Sequence, residues 1–220
     1  MSAAPFEKPP TAQEAVLAEL RRMLVTGELS PGSPIRQEAL AERLGVSRVP
    51  LREALKVLEG EGHVGYAAHR GYVVAELSVD DLVEVYRMRE LLEAEAIRAA
   101  VPRATDELVA AMRAAAAEVD AAGRADDVAE ITAANRRLHF LLFDAAGMPR
   151  LVRTLRQLWD ATDVYRSVYF AGADNRDRVH HEHEDLVGAV ARRDAEAAVR
   201  VQAEHRDHSV AAVTAAITAR

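Results

Sequence analysis

Leu40-Ala41-Glu42-Arg43-Leu44-Gly45-Val46-Ser47-Arg48-Val49-Pro50-Leu51-Arg52-Glu53-Ala54-Leu55 holds two short helical patterns separated by one glycine. The first runs from Gln37 to Leu44, Gly45 makes the turn, and Ser47 stands where a helix N-cap is expected. The second runs to about Leu58, with Pro50 in its first turn, where a missing N–H costs least. Leu51, Ala54, Leu55 and Leu58 fall on one stripe and predict a core-facing side. Arg48 and Arg52 are four apart and share the other side. Two short helices joined by a tight turn, the second with arginines near its start, form the helix-turn-helix pattern. Its second helix enters the major groove, where arginines address guanine edges or phosphates. The same two arginines could equally serve as solvated residues on a surface helix.

Upstream, residues 1–10 carry three prolines and little hydrophobic period, so a flexible arm is expected. From Thr11, the residues Val16, Leu17, Leu20, Met23 and Leu24 recur at helical spacing until Gly27 and Pro31-Gly32 stop the run. Downstream, His63-Val64-Gly65-Tyr66 and Gly71-Tyr72-Val73-Val74 flank a tip of Ala67-Ala68-His69-Arg70 and predict a hairpin wing. Arg70 and Gly71 stand at that tip, where a glycine lets the backbone come close to a nucleic acid. Ser78 opens an all-helical region, with Asp80 and Asp81 favoured by the helix dipole. Six helices are expected there, near 78–101, 105–122, 126–146, 149–170, 175–192 and 195–219, in an antiparallel bundle. The expected fold is therefore mainly α: a winged helix-turn-helix over 11–76 and a helical bundle over 78–220.

Composition narrows the chemistry. Half of the 220 residues are apolar and few are aromatic, which favours packed helices. With no cysteine, disulfides and thiolate metal sites are excluded. No apolar run approaches membrane-spanning length and no basic-then-apolar leader is present, so a cytoplasmic protein with no membrane partner is expected. The net charge of −7 divides unevenly: residues 1–76 carry 9 basic and 10 acidic side chains, and the remainder carries 19 and 25. A nearly neutral first part can still present a basic face.

The bundle region has a histidine pattern. His183 shares a stripe with Val179, Leu186, Val187 and Val190, and His205 shares one with Ala198, Val201 and Ala212. They lie 11 residues before and after Asp194, so in an antiparallel hairpin the two imidazoles stand at one height. Asn135 and His139, spaced i, i+4, project from a stripe with Ile131, Leu138 and Leu142. Three neutral imidazoles and an amide oxygen suit Zn²⁺, with Ni²⁺ or Mn²⁺ also possible, and leave positions open for a ligand. Hydrogen-bonded core histidines are the plain alternative. His208, near the apolar stripe of the last helix, reads as one of these, whereas His63, His69, His180 and His181 read as solvent-facing or loop residues.

The 40–55 stretch, with Leu58-Glu59-Gly60-Glu61-Gly62 and a wing ending Arg70-Gly71-Tyr72-Val73-Val74, resembles the GntR superfamily of bacterial regulators over most of residues 12–76. The resemblance implies DNA contacts by Arg48 and Arg52, with Gly71 at the minor groove. A family position that often carries arginine falls at Glu38, which leaves Arg36 or Gln37 to substitute. Residues 78–220 resemble the FCD ligand-binding domain of the FadR-like branch. The matching motifs are Arg89-Glu90-Leu91-Leu92-Glu93, Asn135-Arg136-Arg137-Leu138-His139, His183-Glu184-Asp185-Leu186-Val187, Asp194-Ala195-Glu196-Ala197-Ala198 and His205.

That resemblance implies a small organic acid as effector, its carboxylate completing the shell of a divalent metal, with Arg89 pointing into the cavity. Metal-binding members carry aspartate where this chain has Asn135, and an amide is the weaker ligand. Arg166, near Trp159 and Tyr165, is a second candidate anion partner. The alternative for both arginines is pairing with neighbouring glutamates. The expected function is a homodimeric repressor on a palindromic operator, released by the acid. Left open are a metal-free regulator, a metal sensor and, remotely, a metal-dependent hydrolase.

Overall fold

The computed structural model describes residues 9–67 and 70–219. Most of the expected arm, together with Ala68 and His69 of the expected wing tip, lies outside them. The chain divides into two compact units between Glu76 and Leu77.

The first unit begins with α1 (Ala12–Val25), closed by a capping box in which Thr11 and Glu14 bond each other's backbone. Helix α2 (Gln37–Arg43) and helix α3 (Arg48–Gly60) follow. Ser47 occupies the N-cap of α3 with extended backbone, but its side chain makes no capping hydrogen bond. Gly45, between the helices, has φ +66°, a conformation costly for any residue with a Cβ. Leu51, Ala54, Leu55 and Leu58 are fully buried, and α1 packs against α3. Strands β1 (Val64–Ala67) and β2 (Gly71–Val74) pair antiparallel, with Val64 opposite Val74 and Ala67 opposite Gly71. The hairpin is not alone: Pro34 bridges Val73, and the Ile35 N–H donates to the Tyr72 carbonyl at 2.8 Å. Nothing in the sequence marked that isolated bridge, because a proline interrupts a segment too short to alternate. His63, read as solvent-facing or in a loop, lies in the bend just before β1 but is buried there.

The second unit holds α4 (Val79–Ala100), a 3₁₀ turn over Val101–Arg103, α5 (Asp106–Arg124), α6 (Val128–Asp144), α7 (Pro149–Asp160), α8 (Asp163–Phe170), α9 (Ala173–Ala191) and α10 (Ala195–Thr218). Among the described residues seven α-helices therefore stand where six were expected, because the 149–170 pattern breaks at Ala161-Thr162. No glycine or proline marks the break. The Thr162 hydroxyl lies 3.2 Å from both the Leu158 and Trp159 carbonyls, giving the backbone there a side-chain partner in place of the next helical turn. Helix α5 packs on α6 and α9, α4 packs on α7 and α10, and α9 folds back on α10. Asp126 and Arg193, both at φ 56°, terminate α5 and α9 in the left-handed conformation usual after a helix. Among the described residues no helix is long and apolar enough to cross a membrane.

Candidate DNA-reading face and buried histidine centre

In the first unit, the N-terminus of α3, the start of α2 and the wing line one concave surface that includes Arg36, Gln37, Glu38, Arg48, Arg52 and Tyr66. Arg48, Val49 and Arg52 project outward from α3, opposite its buried stripe. Gly71 has φ +76°, and a Cβ there would stand 3.8 Å from the Gln37 amide nitrogen, so the wing returns close to α2. Arg70 beside it is exposed. Glu38 is engaged rather than merely substituted: its carboxylate accepts from Arg48 Nη1 at 3.0 Å, with both side chains largely in solvent. The acid at this position therefore partners one of the two arginines expected to read DNA.

In the second unit, α6, α9 and α10 bring His139, His183 and His205 together. One nitrogen from each lies within 4.8 Å of the others, and the ring centroids are 5.2–5.3 Å apart. All three are buried, as is Asn135 one turn before His139. Both ring nitrogens of His139, both of His183 and both amide atoms of Asn135 make no hydrogen bond within the protein. Buried polar atoms without partners are costly, so such a concentration points to a ligand that satisfies them. Burial first, then the neighbouring histidines, hold the His139 and His183 pKa values well below the ordinary range, leaving both imidazoles neutral with lone pairs to give. His205 Nδ1 donates to Glu182 Oε2 at 2.6 Å, which frees its Nε2. A carboxylate behind a ligating imidazole fixes its tautomer and orientation. Glu182 also accepts from His208 Nδ1 at 2.6 Å, and His208 is half exposed rather than the core histidine expected.

Trp159 connects this centre to a cluster of charges. Its ring centroid is 5.1 Å from that of His139, and the guanidinium carbons of Arg89 and Arg166 lie over the indole at 4.3 and 4.2 Å. Both arginines are buried and donate to the Thr162 hydroxyl, at 3.1 and 2.8 Å, so the break between α7 and α8 is where the two converge. Both are also paired. Arg89 Nε donates to Glu93 at 2.9 Å, and Arg166 donates to Asp163, an aspartate instead of the glutamate considered. Glu93 is fully buried and accepts further from Trp159 Nε1 at 2.8 Å and Gln202 Nε2 at 2.9 Å. Burial alone would raise its pKa, but Arg89, the Gln202 amide and Arg206 outweigh that and hold it below the ordinary value. Arg206, also buried, reaches Glu93 only at 3.6 Å and Glu90 at 3.9 Å. Glu182, Gln202 and Arg206 were not singled out from sequence, whereas Glu93 was among the neighbouring glutamates weighed as partners of Arg89. Only Glu93 left a signal there, its i, i+4 spacing from Arg89.

Residues 12–74 match the family described as bacterial regulatory proteins, gntR family, and residues 84–208 match the FCD domain. The Nta operon transcriptional regulator of Aminobacter aminovorans is 31% identical over 187 residues, 84% of this chain and 87% of that protein. The HTH-type transcriptional repressor GlaR of Escherichia coli (strain K12) is 25% identical over 194 residues, 84% and 88% of the two chains. Among solved structures, E. coli McbR/YncC superposes with a TM-score of 0.80 at 26% identity, covering 94% of this chain and 98% of that one.

Proposed function

The chain belongs to the GntR family of bacterial transcription regulators, with an FCD domain behind its DNA-binding domain, and on that premise we propose a repressor whose operator affinity is set by a small organic acid bound beside a divalent metal. Its domains and relatives are those of DNA-binding regulators and not of enzymes. The observation that carries the sensor reading is the set of unpartnered buried atoms on Asn135, His139 and His183, together with a His205 imidazole oriented by Glu182. His139, His183 and His205 would hold the ion, with the Asn135 amide oxygen as a weaker fourth donor. A bound Zn²⁺, or Ni²⁺ or Mn²⁺, would supply a Lewis-acidic centre with positions open to a carboxylate oxygen.

Arg89 and Arg206 stand beside the fully buried carboxylate of Glu93, and Arg166, also buried, shares the Thr162 hydroxyl with Arg89; this concentration of buried guanidiniums favours an anionic ligand. Arg89 and Arg166 would receive its carboxylate by exchanging or sharing their present partners. Since Arg89 lies on α4, which follows β2 after four residues, an acid that holds Arg89 would bias the orientation of α4 and so the wing. The acid controls DNA binding only as far as it prefers one arrangement over the other. A homodimer placing two reading heads on a palindrome is supported by the exposed Val83, Met88 and Leu91 of α4. The repressor role is supported by a relative named as a transcriptional repressor, GlaR of Escherichia coli.

A melting panel of small carboxylates, on metal-replete and chelated protein, tests this reading. A ligand specific for the native state at 100 times its Kd adds about 2.7 kcal/mol. One acid raising the melting temperature only with metal present is the expected result. Equal shifts after verified metal removal would overturn the metal and leave a plain anion pocket.

A further inference from the structure

We propose that the protein carries a second, solvent-open divalent-cation site on the outer face of α9, formed by His180, His181 and Glu184 and braced from α5 by Asp120. One ligand atom from each of the three side chains lies within 4.8 Å of the other two. Glu184 Oε2 stands 3.6 Å from His180 Nε2 and 3.8 Å from His181 Nδ1. Zinc bonds of about 2.0–2.1 Å to imidazole and carboxylate set adjacent donors of a tetrahedron roughly 3.4 Å apart, so each histidine–Glu184 pair needs to close by only a few tenths of an ångström, while rotation of the exposed His181 ring brings the two imidazoles, within 4.8 Å, onto the same ion.

The helix supplies the chelate. Residues 180 and 184 are one turn apart, and 181 and 184 nearly so, which brings all three side chains to one patch. His180 Nδ1 bonds Asp120 Oδ2 at 2.8 Å, which turns Nε2 toward Glu184. A carboxylate behind the imidazole is the arrangement that orients metal-ligating histidines and raises their basicity. The same device serves His205 through Glu182 in the buried centre, so the bundle uses it twice.

The two places differ in access. The side chains of His180, His181 and Glu184 retain 43%, 75% and 64% of their exposure, so ligands and ion meet without opening the bundle. His180 and His181 also line a groove of about 460 Å³ floored by Val119, Ile131, Phe170 and Val179, which leaves space for water or a further donor. Imidazole and carboxylate donors select a borderline cation such as Zn²⁺ or Ni²⁺ over Mg²⁺. Open, three-ligand sites on mobile side chains bind more weakly than enclosed ones, so this ion exchanges readily. Because α9 also carries His183 on its inner side, occupation of the outer site ties α9 to α5 at the height of the buried centre.

Calorimetric titration of Zn²⁺ into chelator-stripped full-length protein tests the site apart from the buried one. The expected result is two binding events in the wild type, with the weaker one lost in His180→Ala/Glu184→Ala and the tighter one kept. Asp120→Asn, which spares every ligand, is expected to weaken the outer event about tenfold. His139→Ala is expected to remove the tighter event and leave the outer one in place. A wild-type isotherm that the His180→Ala/Glu184→Ala pair leaves unchanged overturns the outer site, whatever the buried centre does.

Discussion

The reading head and the bundle core use the same arginine–glutamate chemistry in opposite surroundings. Arg48 and Glu38 meet at 3.0 Å in solvent, while Arg89 and Glu93 meet at 2.9 Å with essentially no exposure. In water such a pair contributes little, and either partner can leave it for a phosphate or a base edge. In the core, each charge depends on the other, because an unpaired buried ion carries its full desolvation cost. A surface proposed to read DNA must exchange partners easily, and an interior proposed to bind a ligand must hold its site open without collapsing. Environment, not residue type, separates the two roles.

Breaking the buried pair should have the largest effect. Glu93→Ala leaves Arg89 and Arg206 facing each other without a carboxylate and removes the acceptor of Trp159 and Gln202. The expected loss is about 3–5 kcal/mol of bundle stability, or roughly 10 °C in melting temperature by circular dichroism. A loss below about 1 kcal/mol would mean that the cluster relaxes to solvent and the contrast with Arg48–Glu38 is false. Next in size, Arg52→Ala should cost about 1–3 kcal/mol of operator affinity in a fluorescence-anisotropy titration, with the melt shifted by no more than about 0.5 kcal/mol. Equal loss on operator and random duplex would place Arg52 on phosphates instead of a base. Smallest is Glu38→Gln, which removes an acid from the DNA-facing surface and releases Arg48. It should tighten binding to any duplex by less than about tenfold and leave the melt unchanged. Weaker binding with a changed base preference would make Glu38 itself a reading group.

Legibility in the sequence follows the range of the interaction. The buried stripe of α3 was readable because it depends only on a 3.6-residue period. The meeting of His183 and His205 was readable because equal distances from Asp194 convert directly into equal heights on a hairpin. The break at Thr162 was not readable, since its cause is a hydroxyl that serves two arginines from different helices. Nor was the partnership of Glu182 with His205 and His208, where i−1 spacing on α9 says nothing about α10. Gln202 and Arg206 resemble ordinary polar helix residues until α10 is laid against α4. Ser47 shows the converse: a strong local signal placed the start of α3 correctly, although the hydroxyl is not what holds it.

The indole of Trp159 is the protein's one tryptophan. Its nitrogen is committed to Glu93, two guanidiniums lie over its ring, and it neighbours the imidazole of His139. The molecule therefore carries a single indole emitter, separable from its tyrosines by the excitation wavelength, between the buried histidines and the arginine cluster. Occupation of the histidines or rearrangement of the arginines would register in the colour and intensity of the protein's own emission, with no label attached.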